Sequence, residues 1–238
     1  MSGSGRLAER LDGLVSSMGH DLRTPLNVII GFTDLLLMEL PGPLNDAQRR
    51  QLTDIRSAGR AMLGMTDNLV ELARLERGDV EVELGESALA PVLEHVCSSF
   101  QGLADEHGLT LVVESSGPDR CHTDPRVLAR ILGHLVANGL AYTEVGGVIL
   151  RAREAETPGA VRVEVVDTGI GISEHDRTML FQPYDRAAGD ADAGRRGIGL
   201  GLFISRRLAD LLGADIAVET VVERGTTCSV LIPGNVER

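Results

Sequence analysis

His20 and Asp21 stand side by side in Met18-Gly-His-Asp-Leu-Arg-Thr-Pro-Leu26. An aspartate in that position can accept the imidazole Nδ1–H and fix the tautomer that leaves Nε2 nucleophilic. Thr24 lies one helical turn on from His20, and Pro25 has no N–H for the carbonyl of Asp21, so a helix passing through it loses a rung and is expected to bend beside the histidine. A single helical histidine is more often solvated surface, and its neighbours argue otherwise. A second group of residues suits a phosphorylated ligand. Val165-Val-Asp-Thr-Gly-Ile-Gly-Ile172 puts Asp167 at a strand end before Gly169 and Gly171, a pattern that ordinary strand-to-loop turns also use. Arg196-Gly-Ile-Gly-Leu-Gly-Leu202 opens a helix, where Gly197, Gly199 and Gly201 can bring backbone N–H groups up to phosphates or merely form a hinge. Asn138 is an amide on a largely apolar helix, and a hydrated Mg²⁺ on a nucleotide would satisfy it.

These residues need elements to hold them. Apolar residues recur from Arg6 to about Leu40 at Leu7, Leu11, Leu14, Met18, Leu22, Leu26, Ile29 and Phe32, in steps of three and four, which predicts a long amphipathic helix. Pro41-Gly-Pro-Leu-Asn-Asp46 breaks it, and Asn45 or Asp46 can cap a second helix to about Arg77. Two helices of this length joined by a short turn cannot bury both apolar stripes in one hairpin, and dimerisation into a four-helix bundle solves the problem. After Gly78 the pattern becomes mixed. Strands are expected at 80–84, 109–114, 148–153, 161–166, 215–221 and 226–232, with helices at 89–107, 124–141 and 200–212. Phe181-Gln-Pro-Tyr-Asp-Arg186 leads into a long irregular stretch, 182–196, that could fold over a ligand. The spacing is not that of regular βαβ units, so the expected fold is α+β: a helical hairpin over 1–78, then an α/β sandwich over 79–238 with its helices on one face of a mixed sheet.

Composition narrows the partners. Of 238 residues, 43% are hydrophobic and 24% charged, as in soluble globular proteins. The net charge is −12, with nine cations against ten carboxylates up to Gly78 and fourteen against twenty-five after it. Such acidity argues against nucleic-acid binding, which needs clustered cations. Every cation is an arginine, so any phosphate-contacting cation must be a guanidinium. Cys97, Cys121 and Cys228 have no pairing or metal-ligand spacing and read as reduced thiols of a cytoplasmic protein. The stretch from Leu26 to Leu40 is interrupted by polar residues, and no membrane span is expected. Residues 1–5 read as a flexible lead, with any upstream sensor or anchor outside this chain.

In order and spacing, the motifs resemble the catalytic core of a two-component sensor histidine kinase of the HisKA type, over about residues 8–233. His20-Asp-Leu-Arg-Thr-Pro is similar to the H box, Asn138 to the metal-binding asparagine of the N box, and Asp167-Thr-Gly-Ile-Gly to the G1 box. Phe181 to Arg186 is similar to the F box, Gly197-Ile-Gly-Leu-Gly to the G2 box, and Gly225-Thr226 to the turn before the last strand. The resemblance implies a dimeric helical domain bearing the phosphoacceptor His20, followed by a Bergerat-type ATP-binding domain. It implies that ATP and Mg²⁺ bind there, with Asp167 reading the adenine amino group, Tyr142 flanking the base and Thr226 supporting its polar edge. Asn138 would hold the metal, with Gly169, Gly171, Arg186, Arg196, Gly197, Gly199, Gly201 and Leu202 around the nucleotide. The implied partners are a second copy of the chain and a response-regulator receiver domain, whose phospho-aspartate Thr24 would help to hydrolyse.

The N box departs from the family pattern at two positions: His134 stands where another asparagine is usual, and Ala141 where a lysine is usual. Arg186, Arg195 or Arg196 could supply the missing cation. Two other readings follow. One is a Bergerat-fold ATPase clamp, although that group carries a glutamate at the position of His134. The other is a pseudokinase scaffold that binds nucleotide weakly.

Overall fold

The computed structural model describes the backbone of residues 3–114, 117–183 and 199–234, and their side chains from Gly19 onward except that of His20. The chain forms two compact units, one ending at Val80 and the other starting at Glu81.

The first unit is a helical hairpin. α1 (Gly3–Leu37) runs on through Pro25, and α2 (Asp46–Arg77) begins at a capping box in which Asn45 Oδ1 accepts from the Gln48 N–H at 2.8 Å and Gln48 Oε1 from the Asn45 N–H at 3.0 Å. Gly78, at φ 71°, ends α2 in the left-handed conformation. The helices approach closely at Gly19, where a Cβ would stand 2.1 Å from Val70 Cγ2. Leu26, Thr33 and Val70 are buried between them. Arg23 pairs with Asp67 at 2.5 Å, and Arg56 with Asp34 at 3.5 Å. Of the predicted apolar stripe, Leu26 turns inward, whereas Leu22, Ile29 and Phe32 stay exposed on the hairpin.

The second unit is two-layered. Its five-stranded sheet has the order β2-β4-β5-β7-β6, formed by β2 (Thr110–Glu114), β4 (Gly147–Glu154), β5 (Val161–Asp167), β6 (Asp215–Val221) and β7 (Gly225–Ile232). Among the described residues only the β2–β4 pair is parallel. A separate ribbon pairs β1 (Gly85–Ala88) with β3 (Arg120–Thr123). The long helices α3 (Leu89–His107), α4 (Pro125–Tyr142) and α6 (Gly201–Leu212) cover one face of the sheet, and α5 (Glu174–Arg177) is a single turn. α4 is central, with Val127, Leu128, Ile131, Leu132, Leu135, Val136 and Leu140 all nearly inaccessible against Val148, Leu150, Val163 and Val165 of the sheet. At about 1.5–3 kcal/mol per buried aliphatic side chain, this packing fixes α4 firmly, and with it the polar residues on its other side.

Three expectations need correction. Residues 80–84 are not a strand; the Glu83 N–H instead donates to Asp124 Oδ2 at 2.9 Å, and pairing starts only at Gly85. β3 and α5, four residues each, went unread because so short a segment carries no legible periodicity. α1 stops at Leu37 rather than Leu40, in a turn where Glu39 takes φ 57°.

Candidate active site

Asp167 ends β5 under the C-terminal half of α4. A Cβ on Gly139 of α4 would lie 3.0 Å from Val148 Cγ2 and 3.5 Å from Asp167 Cβ, so the helix meets the sheet beside this carboxylate. Asp167 Oδ1 accepts two backbone N–H groups, from Gly169 at 2.8 Å and from Thr226 at 3.1 Å. Among the described residues nothing donates to Oδ2, which remains a charged acceptor. Burial pushes the Asp167 carboxyl up from its ordinary value, and the two N–H groups work against that push.

The loop after Asp167 is held from both sides. The Ile170 N–H donates to the carbonyl of Tyr142, the last residue of α4, at 3.2 Å, and the Ile172 N–H to Thr220 Oγ1 at 2.9 Å. Thr220 Oγ1 lies 3.1 Å from Thr226 Oγ1, so a chain of hydroxyls joins the loop to the β6–β7 hairpin. Gly225 makes this geometry possible: at φ 99°, a Cβ there would stand 2.0 Å from the Asp167 carbonyl oxygen. A Cβ on Gly169 would stand 2.4 Å from the Tyr142 carbonyl oxygen, and one on Gly171 2.3 Å from that of Val221. Cys228, two residues beyond Thr226 on β7 and opposite Val165, continues the floor. Burial, aided by the Asp167 charge, pushes its thiol up to about 12, so it is a neutral lining group.

On α4, His134, Asn138 and Tyr142 follow at intervals of four and form one ridge. The ridge faces the start of α6: a Cβ on Gly201 would stand 3.7 Å from Asn138 Oδ1 and 3.8 Å from both Asn138 Nδ2 and His134 Nδ1. Among the described residues no side chain caps α6 at Leu200, which leaves its first-turn N–H groups for an anion. Gly199, at φ 73°, and Leu202 flank Gly201. An amide oxygen beside uncapped helix N–H groups suits a divalent cation carried on phosphates. Among the described residues no cluster of three or more His, Cys, Asp or Glu offers another metal site.

The second unit thus brings Asp167, Gly169, Thr226 and Tyr142 together at one end of the site and Asn138 and Gly201 at the other. Arg186, Arg196 and Gly197 lie outside the described residues. Asp21 and Thr24 are exposed on α1 in the helical unit, where His20 follows Gly19. Sequence reasoning missed Thr220 and Thr168. The Thr168 hydroxyl accepts from the Gly147 N–H at 3.0 Å and donates to the Val145 carbonyl at 3.0 Å. Threonine beside a glycine-rich turn was the available signal for Thr168, whereas nothing local marked Thr220.

Residues 10–78 match the family model of the His Kinase A (phospho-acceptor) domain, and residues 123–235 that of the histidine kinase-, DNA gyrase B- and HSP90-like ATPases. Together the two domains are those of a two-component histidine kinase catalytic core. This kinase core is 35% identical over 222 residues to the virulence sensor protein BvgS of Bordetella pertussis, across 91% of the chain and 18% of BvgS. It is 36% identical over 220 residues to the signal transduction histidine-protein kinase BarA of Escherichia coli, across 90% of the chain and 23% of BarA. The chain therefore spans about a fifth of the length of either relative. Full-length ShkA, crystallised in complex with AMPPNP, superposes with a TM-score of 0.67 at 28% identity, over 93% of this chain and 46% of ShkA. The Acinetobacter baumannii histidine kinase AdeS, at 18% identity and a TM-score of 0.60 over 91% of this chain and 98% of AdeS, shares the fold. Among the described residues no helix is long and apolar enough to cross a membrane.

Proposed function

We propose that the chain is an ATP-dependent protein-histidine kinase core that phosphorylates His20 and passes the phosphoryl group to an aspartate of a response-regulator receiver domain. In this reading residues 1–78 are the dimerising phosphoacceptor hairpin and 79–238 the ATP-binding domain. The observation that carries it is the state of Asp167: one carboxylate oxygen is held by two backbone N–H groups, and the other is left to accept from a ligand such as the adenine amino group. Tyr142 flanks the base and Thr226 supports its polar edge. The α6 N-terminus, with Gly199, Gly201 and Leu202, receives the phosphates, joined by Arg186, Arg196 and Gly197. Magnesium bound with the nucleotide would neutralise phosphate charge and would be held by Asn138. Asp21 accepts the Nδ1 proton of His20, so that Nε2 attacks the γ-phosphorus while its bond to the ADP oxygen breaks; ADP leaves and the histidine carries the phosphoryl group. The receiver's carboxylate then attacks that phosphorus and the P–N bond breaks. Thr24, one turn from His20, orients water in the reverse task of hydrolysing the regulator's phospho-aspartate. A sensor domain outside this chain supplies the signal.

Incubation with γ-labelled ATP tests this directly. The chain should take up label that is acid-labile and base-stable, His20→Gln should take up none while retaining ATP affinity, and Thr24→Ala should keep labelling but lose phosphatase activity toward the regulator. Acid-stable label, or label persisting in His20→Gln, overturns the assignment.

A further inference from the structure

The α4 ridge presents two polar heads to α6. The Nδ1 of His134 and the amide of Asn138 each lie within 3.8 Å of the point a Gly201 Cβ would occupy, and that point is empty because residue 201 has no side chain. A methyl group there would touch both heads, at the end of α6 whose first-turn N–H groups have no side-chain cap among the described residues. An amide oxygen and an imidazole nitrogen thus both border the space in front of Gly201.

We propose that His134 is a second protein ligand, beside Asn138, to the divalent cation that accompanies the nucleotide, and that it turns the site toward manganese- and cobalt-class ions over magnesium. The proposal rests on the nucleotide site described above. Magnesium is a hard cation that takes oxygen ligands in strict octahedral geometry and keeps several of its waters, so an imidazole nitrogen adds little to its binding. Manganese stands at the weak end of the first-row series but is softer than magnesium, and affinity at a nitrogen-containing site rises from it toward cobalt and nickel. An Asn138 oxygen alone would not distinguish these ions strongly. Replacing an amide by an imidazole one turn away adds the donor that does. Because the chain has no lysine, no ammonium can take over charge compensation at the phosphates, and the ion bears more of that task.

The test uses the full chain with ADP as the nucleotide probe. Calorimetric titration with ADP in Mg²⁺ and in Mn²⁺ should give affinity roughly tenfold higher with Mn²⁺, the factor corresponding to one contact of about 1.4 kcal/mol. In His134→Asn that ratio should fall close to one while binding with Mg²⁺ persists. Pulsed electron paramagnetic resonance of the Mn²⁺·ADP complex supplies a readout independent of any variant: wild type should show nitrogen modulation of a directly bound imidazole, and protein labelled with ¹⁵N-histidine should change it to the ¹⁵N pattern. Equal affinity with the two ions, absence of histidine nitrogen modulation, or its persistence in His134→Asn overturns the proposal. If ADP binds with Mg²⁺ but His134 leaves no trace, only this inference fails. If ADP binds with neither ion, the nucleotide site itself is refuted as well.

Discussion

At the scale of single residues, Asp167 is where the fold would meet the proposed nucleotide. Its Oδ1 closes the turn through Gly169 and Thr226 while Oδ2 is left to accept. Asp167→Asn keeps the shape and one carbonyl oxygen but presents an NH₂ group where an acceptor is needed. The expected loss of ATP affinity is about 1.5–3 kcal/mol, the range for a hydrogen bond to a charged group, with little change in unfolding temperature. Calorimetric titration of wild type and variant measures it. The pH dependence follows from the direction of the shift. Because the folded-state value is raised, the ionised carboxylate costs folding free energy, and protonation as pH falls relieves that cost. Binding runs the opposite way, because the protonated group no longer offers a charged acceptor. ATP affinity should therefore begin to fall at a higher pH than for an ordinary aspartate as the solution is acidified from neutrality. An affinity that does not change across that range contradicts the role.

At the scale of elements, the start of the second unit is fastened by one buried side chain. Asp124 has no exposed side-chain surface and caps α4 through the N–H groups of Arg126 and Val127, while it accepts the Glu83 N–H from the incoming segment. Burial alone would raise its carboxyl; the Arg126 guanidinium and these N–H groups outweigh that and hold it at about 2. A carboxylate lowered in this way stabilises the fold above the ordinary aspartate value, and that contribution disappears as pH falls toward 2. Asp124→Asn should cost about 1–3 kcal/mol at neutral pH and much less in acid, read from thermal unfolding at both. The same residue explains why part of the fold was not legible in the sequence. α3 was readable end to end because its periodicity and the Gly108 stop are local. The alternation Val80-Glu-Val-Glu-Leu84 was equally local and misled, because its N–H at Glu83 goes to a residue forty-one positions on. Asp167, Asn138 and the glycines were legible as motifs. Thr220 was not, because its role depends on the pairing of β6 with β7 and on Ile172, forty-eight residues earlier, neither of which leaves a local mark.

At the scale of the whole molecule, the hairpin leaves in water an apolar surface that the proposed second copy would cover. Leu22, Ile29 and Leu36 on α1 and Ile55, Met62 and Leu69 on α2 each repeat every seven residues, and all six remain 37–54% exposed on the single chain. Heptad repeats of apolar residues on two antiparallel helices match the seam of a four-helix bundle, and leaving them in water would forfeit the largest favourable term available to this unit. The proposed second copy of the chain covers them without any change in the ATP-binding domain. Ile29→Glu combined with Met62→Glu puts four carboxylates into the seam of a dimer, where burial without partners is costly. Sedimentation should show a dimer for wild type and a monomer for the double variant, with ADP affinity unchanged because Asp167 and Asn138 lie in the other unit. The wild-type hairpin should also melt at a temperature that rises with protein concentration, and the variant at one that does not. A dimeric mass that survives both glutamates would place the contact elsewhere and leave the two heptad seams unexplained.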